Sequence, residues 1–458
     1  MAHKCGAMGV EPVLLRCRWV LPCSGCPVLE GASVLLDGGR VAWLGGGGPP
    51  PGAKSGLVVD CGRYSAAVPC LYNAHTHAGM SLLRGYYDDA ELHEWLARMW
   101  FVEKRLDEET AYAASKLSAI EMAMGGTCGF MDMYFYADAA ARAAREVGLR
   151  ARVGPVVMGD VDPYRAVEEA ARFARRLRGD RLVGGVVNVH SIYAAPLEAV
   201  RLGAEAAREL GVPLHIHVSE TRREVYEAKK RHGVFPVELL DRLGALHGGT
   251  VLVHMGWVAS WELGLVRDRG ASIVHCPVSN MKLATAGHFP LREALDSGIN
   301  VGLGTDGAAS NNTLDMFREM RVAVLLQRHS YWDTRISAVD ALHIATVGSA
   351  RAMMLPEGAG RLEPGAPGDL AVVDLSRPGL QPARRQSLLS ALVYAANAGD
   401  VTHTFVAGRP VYTPDTRRPL LEEAERLAER LSRFHLEIGE GLDREPPCSP
   451  RPACRQPR

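Results

Sequence analysis

The sequence predicts an α/β protein built on a (β/α)8 TIM-type barrel, with short β segments before and after it. Three observations carry that expectation. Eight apolar, β-branched runs end near Asn73, Tyr134, Val157, His190, His217, His254, Cys276 and Thr305, the texture of fully buried parallel strands. Helical stretches fill the intervals, as at 108–124, 166–178 and 197–210. Several runs finish on histidine or aspartate, and the C-terminal ends of barrel strands are where active sites are assembled.

Residues 12–21, 32–37, 40–44 and 57–60 are short apolar runs separated by Gly/Pro-rich turns, so 1–65 reads as β structure. The barrel is expected over 66–358. Its first strand leads into Asn73-Ala74-His75-Thr76-His77, and on an extended chain His75 and His77 point to the same side. A long loop follows from Arg84. The fifth strand carries His217 and then Glu220, the sixth ends in His254, and the eighth runs through Gly304-Thr305-Asp306. Two histidines of the first strand, one of a middle strand and an aspartate of the last make a nitrogen/oxygen set suited to zinc or a similar divalent ion. β texture returns over 359–415, an amphipathic helix is predicted over 419–436 within a 416–440 segment, and 441–458 has the Pro/Arg-rich composition of a disordered tail.

Lys+Arg and Asp+Glu both total 52 in this chain of 458 residues, so no net field favours nucleic acid or an anionic membrane. No apolar stretch is long enough to span a bilayer, and the N-terminus lacks a secretion signal, which makes a cytoplasmic location the default. Assembly into a homo-oligomer is compatible with the sequence. The ten cysteines are scattered, and the Cys23/Cys26 pair has no second pair to complete a zinc knuckle. They are expected to be reduced, partly buried thiols.

Several stretches together resemble the amidohydrolase superfamily, and more narrowly its 5′-methylthioadenosine/S-adenosylhomocysteine deaminases, near the triazine chlorohydrolases. They are Asn73-Ala74-His75-Thr76-His77 with Leu82-Leu83-Arg84-Gly85, Val102-Glu103-Lys104-Arg105-Leu106, Gly129-Phe130-Met131-Asp132-Met133-Tyr134, His190-Ser191 and His217-Val218-Ser219-Glu220. His275-Cys276-Pro277-Val278-Ser279-Asn280 and Gly304-Thr305-Asp306-Gly307-Ala308-Ala309-Ser310-Asn311-Asn312 are the most distinctive.

The resemblance covers roughly 12–412 and implies that the two β flanks form one small sandwich beside the barrel. It implies one catalytic divalent ion, most simply zinc, on His75, His77, His217 and Asp306. Glu220 would shuttle protons, and His254 with Asp306 would help activate water. Glu103 would meet the ribose hydroxyls, His190 would contact substrate, and Arg165 would face the 5′ substituent. A second family arginine has no counterpart: Gly154 stands near its place, which sets S-adenosylhomocysteine below 5′-methylthioadenosine, adenosine and 5′-deoxyadenosine as a substrate. No lysine ends the fourth strand, which favours one metal over two. The implied partner is a small nucleoside that loses ammonia by hydrolysis. The alternative on the same fold is a chlorohydrolase or aminohydrolase of a triazine, guanine or pyrimidine ring.

Overall fold

The computed structural model describes residues 11–442, apart from 51, 54, 55 and 286. The expected tail from 443 onward, with Cys448 and Cys454, therefore lies outside the described residues, as does Cys5.

Eight parallel strands close into a barrel. They are Leu71–His77, Thr127–Asp132, Arg150–Val153 resuming at Val156–Val157, and Val183–Gly185 resuming at Val187–Ser191. Leu214–Val218, Thr250–His254, Ser272–His275 and Asn300–Leu303 with Asp306–Gly307 complete the set. The eighth strand pairs in parallel with the first, Asp306 opposite Thr76 and Gly307 opposite His77, which closes the ring. The first strand runs four residues past the expected end at Asn73, so both of its histidines lie on the strand itself. The third strand breaks at Gly154-Pro155. A Cβ at Gly154 would stand 2.0 Å from the carbonyl oxygen of Val186, so no side chain fits where the fourth strand crosses.

The helices follow the sequence closely. Glu108–Met124 begins at Asp107, whose carboxylate accepts the Thr110 N–H (2.6 Å) and caps the first turn. Leu197–Leu210 matches expectation, and Pro163–Arg176 starts three residues early because Asp162 caps it and Pro163 suits the first turn. The C-terminal helix spans Pro414–Leu442, longer than 419–436 at both ends. Thr413 and Thr416 exchange N–H to Oγ1 bonds, which moves its start back from Pro419. Among the described residues no helix is long and apolar enough to cross a membrane.

The flanking segments make two further sheets. One has the order 40–46, 32–37, 13–16, 57–60; the other places Arg409–Tyr412, Val401–Val406 and Leu370–Asp374 beside Ser65–Pro69, Trp19–Val20 and Leu29–Glu30. Leu15, Val34, Val41, Leu370, Val372 and Phe405 share one buried cluster drawn from both sheets. Asp369 ties this region to the barrel floor. It accepts from Arg150 Nε (2.5 Å) and Nη2 (3.0 Å), the Tyr72 hydroxyl (2.8 Å) and the Ala407 N–H (2.7 Å), all buried or half-buried.

The expectation of reduced thiols needs correction. The structure joins Cys17 to Cys61, Cys23 to Cys26 and Cys70 to Cys128 as disulfides, with Cα atoms 5.0, 5.0 and 5.6 Å apart. Two of these pairs are 44 and 58 residues apart in sequence. Sheet pairing brings them together, and scattered spacing gives no sign of that. Cys276 is free and buried.

Candidate metal centre and nucleoside pocket

At the C-terminal mouth of the barrel three histidines and one aspartate converge. The ring nitrogens of His75, His77 and His217 lie within 4.8 Å of one another. Asp306 Oδ1 is 3.2 Å from His75 Nε2 and 3.1 Å from His77 Nε2, and His217 Nε2 is 3.3 Å from His75 Nε2. His217 donates its Nδ1 proton to the His190 carbonyl (2.7 Å), and His77 donates its own to the Met133 carbonyl. Carbonyls only accept, so both rings carry a proton on Nδ1 and turn Nε2 inward. Burial depresses His75 to about 3 and holds His217 well below its ordinary value, leaving both neutral. Burial opposes charge on Asp306 as well, but the adjoining His75 and His77 rings hold its carboxyl well below the usual range, and against burial that carboxylate raises His77 to about 9, a proton that a bound cation displaces. Imidazole nitrogens and an ionised carboxylate around one point fit a divalent cation.

The backbone is tuned for this convergence. Asp306 has φ +61°, His254 +76° and Ser219 +52°, left-handed conformations that cost energy in residues with a Cβ and cluster at functional sites. Gly304 lets the eighth strand press against the first; a Cβ there would lie 2.8 Å from the His75 carbonyl oxygen. Asp306 Oδ2 accepts from Ser279 Oγ (2.6 Å) and Ser310 Oγ (2.8 Å), which fix the carboxylate plane.

Glu220 and His254 stand beside this centre. The Glu220 carboxylate lies 3.6 Å from His254 Nε2 and accepts from the Tyr193 hydroxyl (3.3 Å). His254 Nδ1 donates to Asn280 Oδ1 (2.8 Å), which turns its Nε2 toward the pocket. Burial raises the Glu220 carboxyl against the lowering pull of His254. Its loop is held by Glu224, whose two carboxylate oxygens accept the Ser219 (3.0 Å) and Glu220 (2.9 Å) N–H groups.

A helix, Leu92–Glu103, roofs the site. One of its faces, Leu92, Trp95, Leu96, Trp100 and Glu103, lines a narrow chamber with His77, His190, His217, Glu220, His254 and Asp306. Met80 and Trp95 are walls of this chamber. Glu103 is 7% exposed, and its Oε1 has no hydrogen-bond partner. The chamber opens into an outer cavity of about 970 Å³ walled by Trp100, Phe135, Val156, Met158 and Tyr193, with Lys104 and Asp160 on its lining. Arg165 is not brought to the site. Its side chain is 82% exposed and pairs with Glu169 (3.0 Å) one helical turn along. His215, Asn188, Tyr193, Glu224 and Asn280 were not singled out from the sequence, although His215-Ile216-His217 repeats the His-x-His spacing of the first strand.

Residues 66–411 match the Amidohydrolase family. The chain belongs to that family. Members of the Amidohydrolase family similar to it include the 5-methylthioadenosine/S-adenosylhomocysteine deaminase 1 of Archaeoglobus fulgidus, 35% identical over 88% of this chain and 96% of that one. The 5′-deoxyadenosine deaminase of Methanothermobacter thermautotrophicus is 38% identical over 91% of this amidohydrolase and 96% of its own length. Among solved structures, a zinc-bound adenosine deaminase from Xanthomonas campestris superimposes with a TM-score of 0.85 at 32% identity, covering 92% and 98% of the two chains.

Proposed function

We propose that this amidohydrolase is a metal-dependent hydrolytic deaminase of adenosine-type nucleosides, with one divalent ion, zinc, held by His75, His77, His217 and Asp306. The observation that carries the reading is the buried Glu220–His254 pair set against the converging ring nitrogens of His75, His77 and His217, in a chain that its deaminase-named relatives match almost end to end. An ion held there would supply a water acidified toward neutral pH.

The chain's own residues supply the rest. His254 Nε2, turned to the pocket by the Nδ1 bond to Asn280, and Asp306 accept the water's proton. Glu220 delivers a proton to N1 of the purine as C6 is attacked, and ammonia then leaves; a raised carboxyl pKa is the direction that donation requires. The unpaired Oε1 of Glu103 accepts from the ribose hydroxyls, and His190 bounds the other side of the ring. The outer cavity receives the 5′ substituent. Its wall is apolar, Gly154 has no room for a side chain, and Arg152 is turned away to the Met353 and Met354 carbonyls. Among the described residues of its lining only Lys104, itself solvated, could meet a carboxylate there, which favours uncharged 5′ groups. The shared cluster of the two flanking sheets supports their reading as one small sandwich.

Metal analysis together with a deamination screen on adenosine, 5′-methylthioadenosine, 5′-deoxyadenosine and S-adenosylhomocysteine tests the proposal. A metal-free protein, or no ammonia released from any of the four, would overturn it.

A further inference from the structure

We infer that His215 and Asn188 form a positioning relay that locks the proton of His75 on Nδ1 and so aims its Nε2 lone pair at the metal seat. This rests on the metal reading above. His75 Nδ1 lies 2.9 Å from His215 Nε2, and His215 Nδ1 lies 3.0 Å from Asn188 Oδ1. All three side chains are fully buried.

The direction of each bond follows from the far end. Asn188 Nδ2 donates to the carbonyls of Asp132 (3.0 Å) and Gly154 (2.7 Å). Turning the amide over would set its oxygen against those two carbonyl oxygens, so Oδ1 must face His215. An amide oxygen only accepts, which puts the His215 proton on Nδ1. None of the hydrogen-bond partners of His215 is a carboxylate, so a buried neutral ring leaves its Nε2 as an acceptor. His75 therefore donates from Nδ1, and its Nε2 is bare.

That bare nitrogen lies 3.3 Å from His217 Nε2 and 3.2 Å from Asp306 Oδ1. Three electron pairs then meet with no proton between them, an arrangement that a cation relieves. His77 and His217 are oriented by backbone carbonyls, whereas His75 alone depends on side chains. Its orientation can therefore be altered by mutation without touching a metal ligand.

The test is the affinity for zinc, measured by competition with a chromophoric chelator, alongside the melting temperature of the stripped protein. Partners that orient metal ligands typically contribute ~10- to 100-fold in affinity. His215→Leu removes the acceptor and should weaken zinc binding by about that factor. His215→Gln, which can accept through Oε1, should recover most of it. Asn188→Ala, which leaves both histidines in place, should weaken binding in the same direction and guards against a His215→Leu chain that fails to fold. Wild-type affinity in both His215→Leu and Asn188→Ala would overturn the relay, as would equal losses in His215→Leu and His215→Gln. A wild-type protein that holds no zinc would instead overturn the metal reading.

Discussion

Glu103 is a residue at which stability and binding pull in opposite directions, and Glu103→Gln should separate them. Burial raises its carboxyl from 4.5 to about 7, with His77 and the neighbouring Tyr134 only partly offsetting the effect. At ~1.36 kcal/mol per unit, that displacement corresponds to roughly 3 kcal/mol. The folded-state value is the higher one, so the contribution to stability is fully present below pH 4.5 and is lost as the pH rises through 7. Glutamine does not titrate. In metal-stripped protein the variant should therefore melt several degrees above wild type at pH 8, and the gap should shrink as the pH falls toward 5. With metal restored, the same variant should bind nucleosides less well, because a hydrogen bond to a charged group contributes ~1.5–3 kcal/mol. That corresponds to roughly a 10- to 100-fold loss in kcat/KM, read as adenine absorbance decays. A melting difference that does not change with pH would refute the desolvation argument, and undiminished kcat/KM would remove Glu103 from the ribose site.

His217→Ala should abolish both bound metal and turnover, which metal analysis and an ammonia assay would reveal together; a metal-free yet active variant contradicts the ligand set. Glu220→Gln should keep metal but lose ~10²- to 10⁴-fold in kcat, and His254→Asn should do likewise. Loss of metal in His254→Asn would recast that residue as a ligand. Arg150→Met leaves Asp369 as an unpaired buried charge and should destabilise the fold by ~3–5 kcal/mol in denaturant titrations, with little change in KM. Across the nucleoside panel, kcat/KM for 5′-methylthioadenosine, adenosine or 5′-deoxyadenosine should exceed that for S-adenosylhomocysteine. The reverse order would assign its carboxylate to Lys104.

The barrel strands were legible because each is an apolar run of the right length, and the site because its polar residues punctuate those runs at His75, His217, His254 and Asp306. Glu220 came in through the family resemblance, on its place three residues beyond His217, and it lies 3.6 Å from His254 Nε2. Arg165 was misjudged for a physical reason: Asp162 starts its helix at the surface, and the side chain lies along that helix toward Glu169. Asn188, inside the fourth strand, and Asn280, on the short helix Pro277–Lys282, could not be read from pattern, because neither position carries a sign of which imidazole its side chain will orient. His215 could have been, since period two puts it on the same side as His217. The Cys17–Cys61 and Cys70–Cys128 disulfides join neighbouring strands, a relation that spacing along the chain does not encode.

The closing seam of the barrel gives the centre a mechanical part as well as a chemical one. His75 and Asp306 are 231 residues apart in sequence and meet only where the eighth strand pairs with the first. An ion shared between them would act as a clasp on the ring, absent from any partly folded chain whose two ends have not yet met. Ligand binding at a thousandfold excess over Kd adds ~4 kcal/mol to the closed form. Stripping the metal should accordingly speed amide exchange along 71–77 and 300–307 more than in the third and seventh strands, which carry none of its ligands.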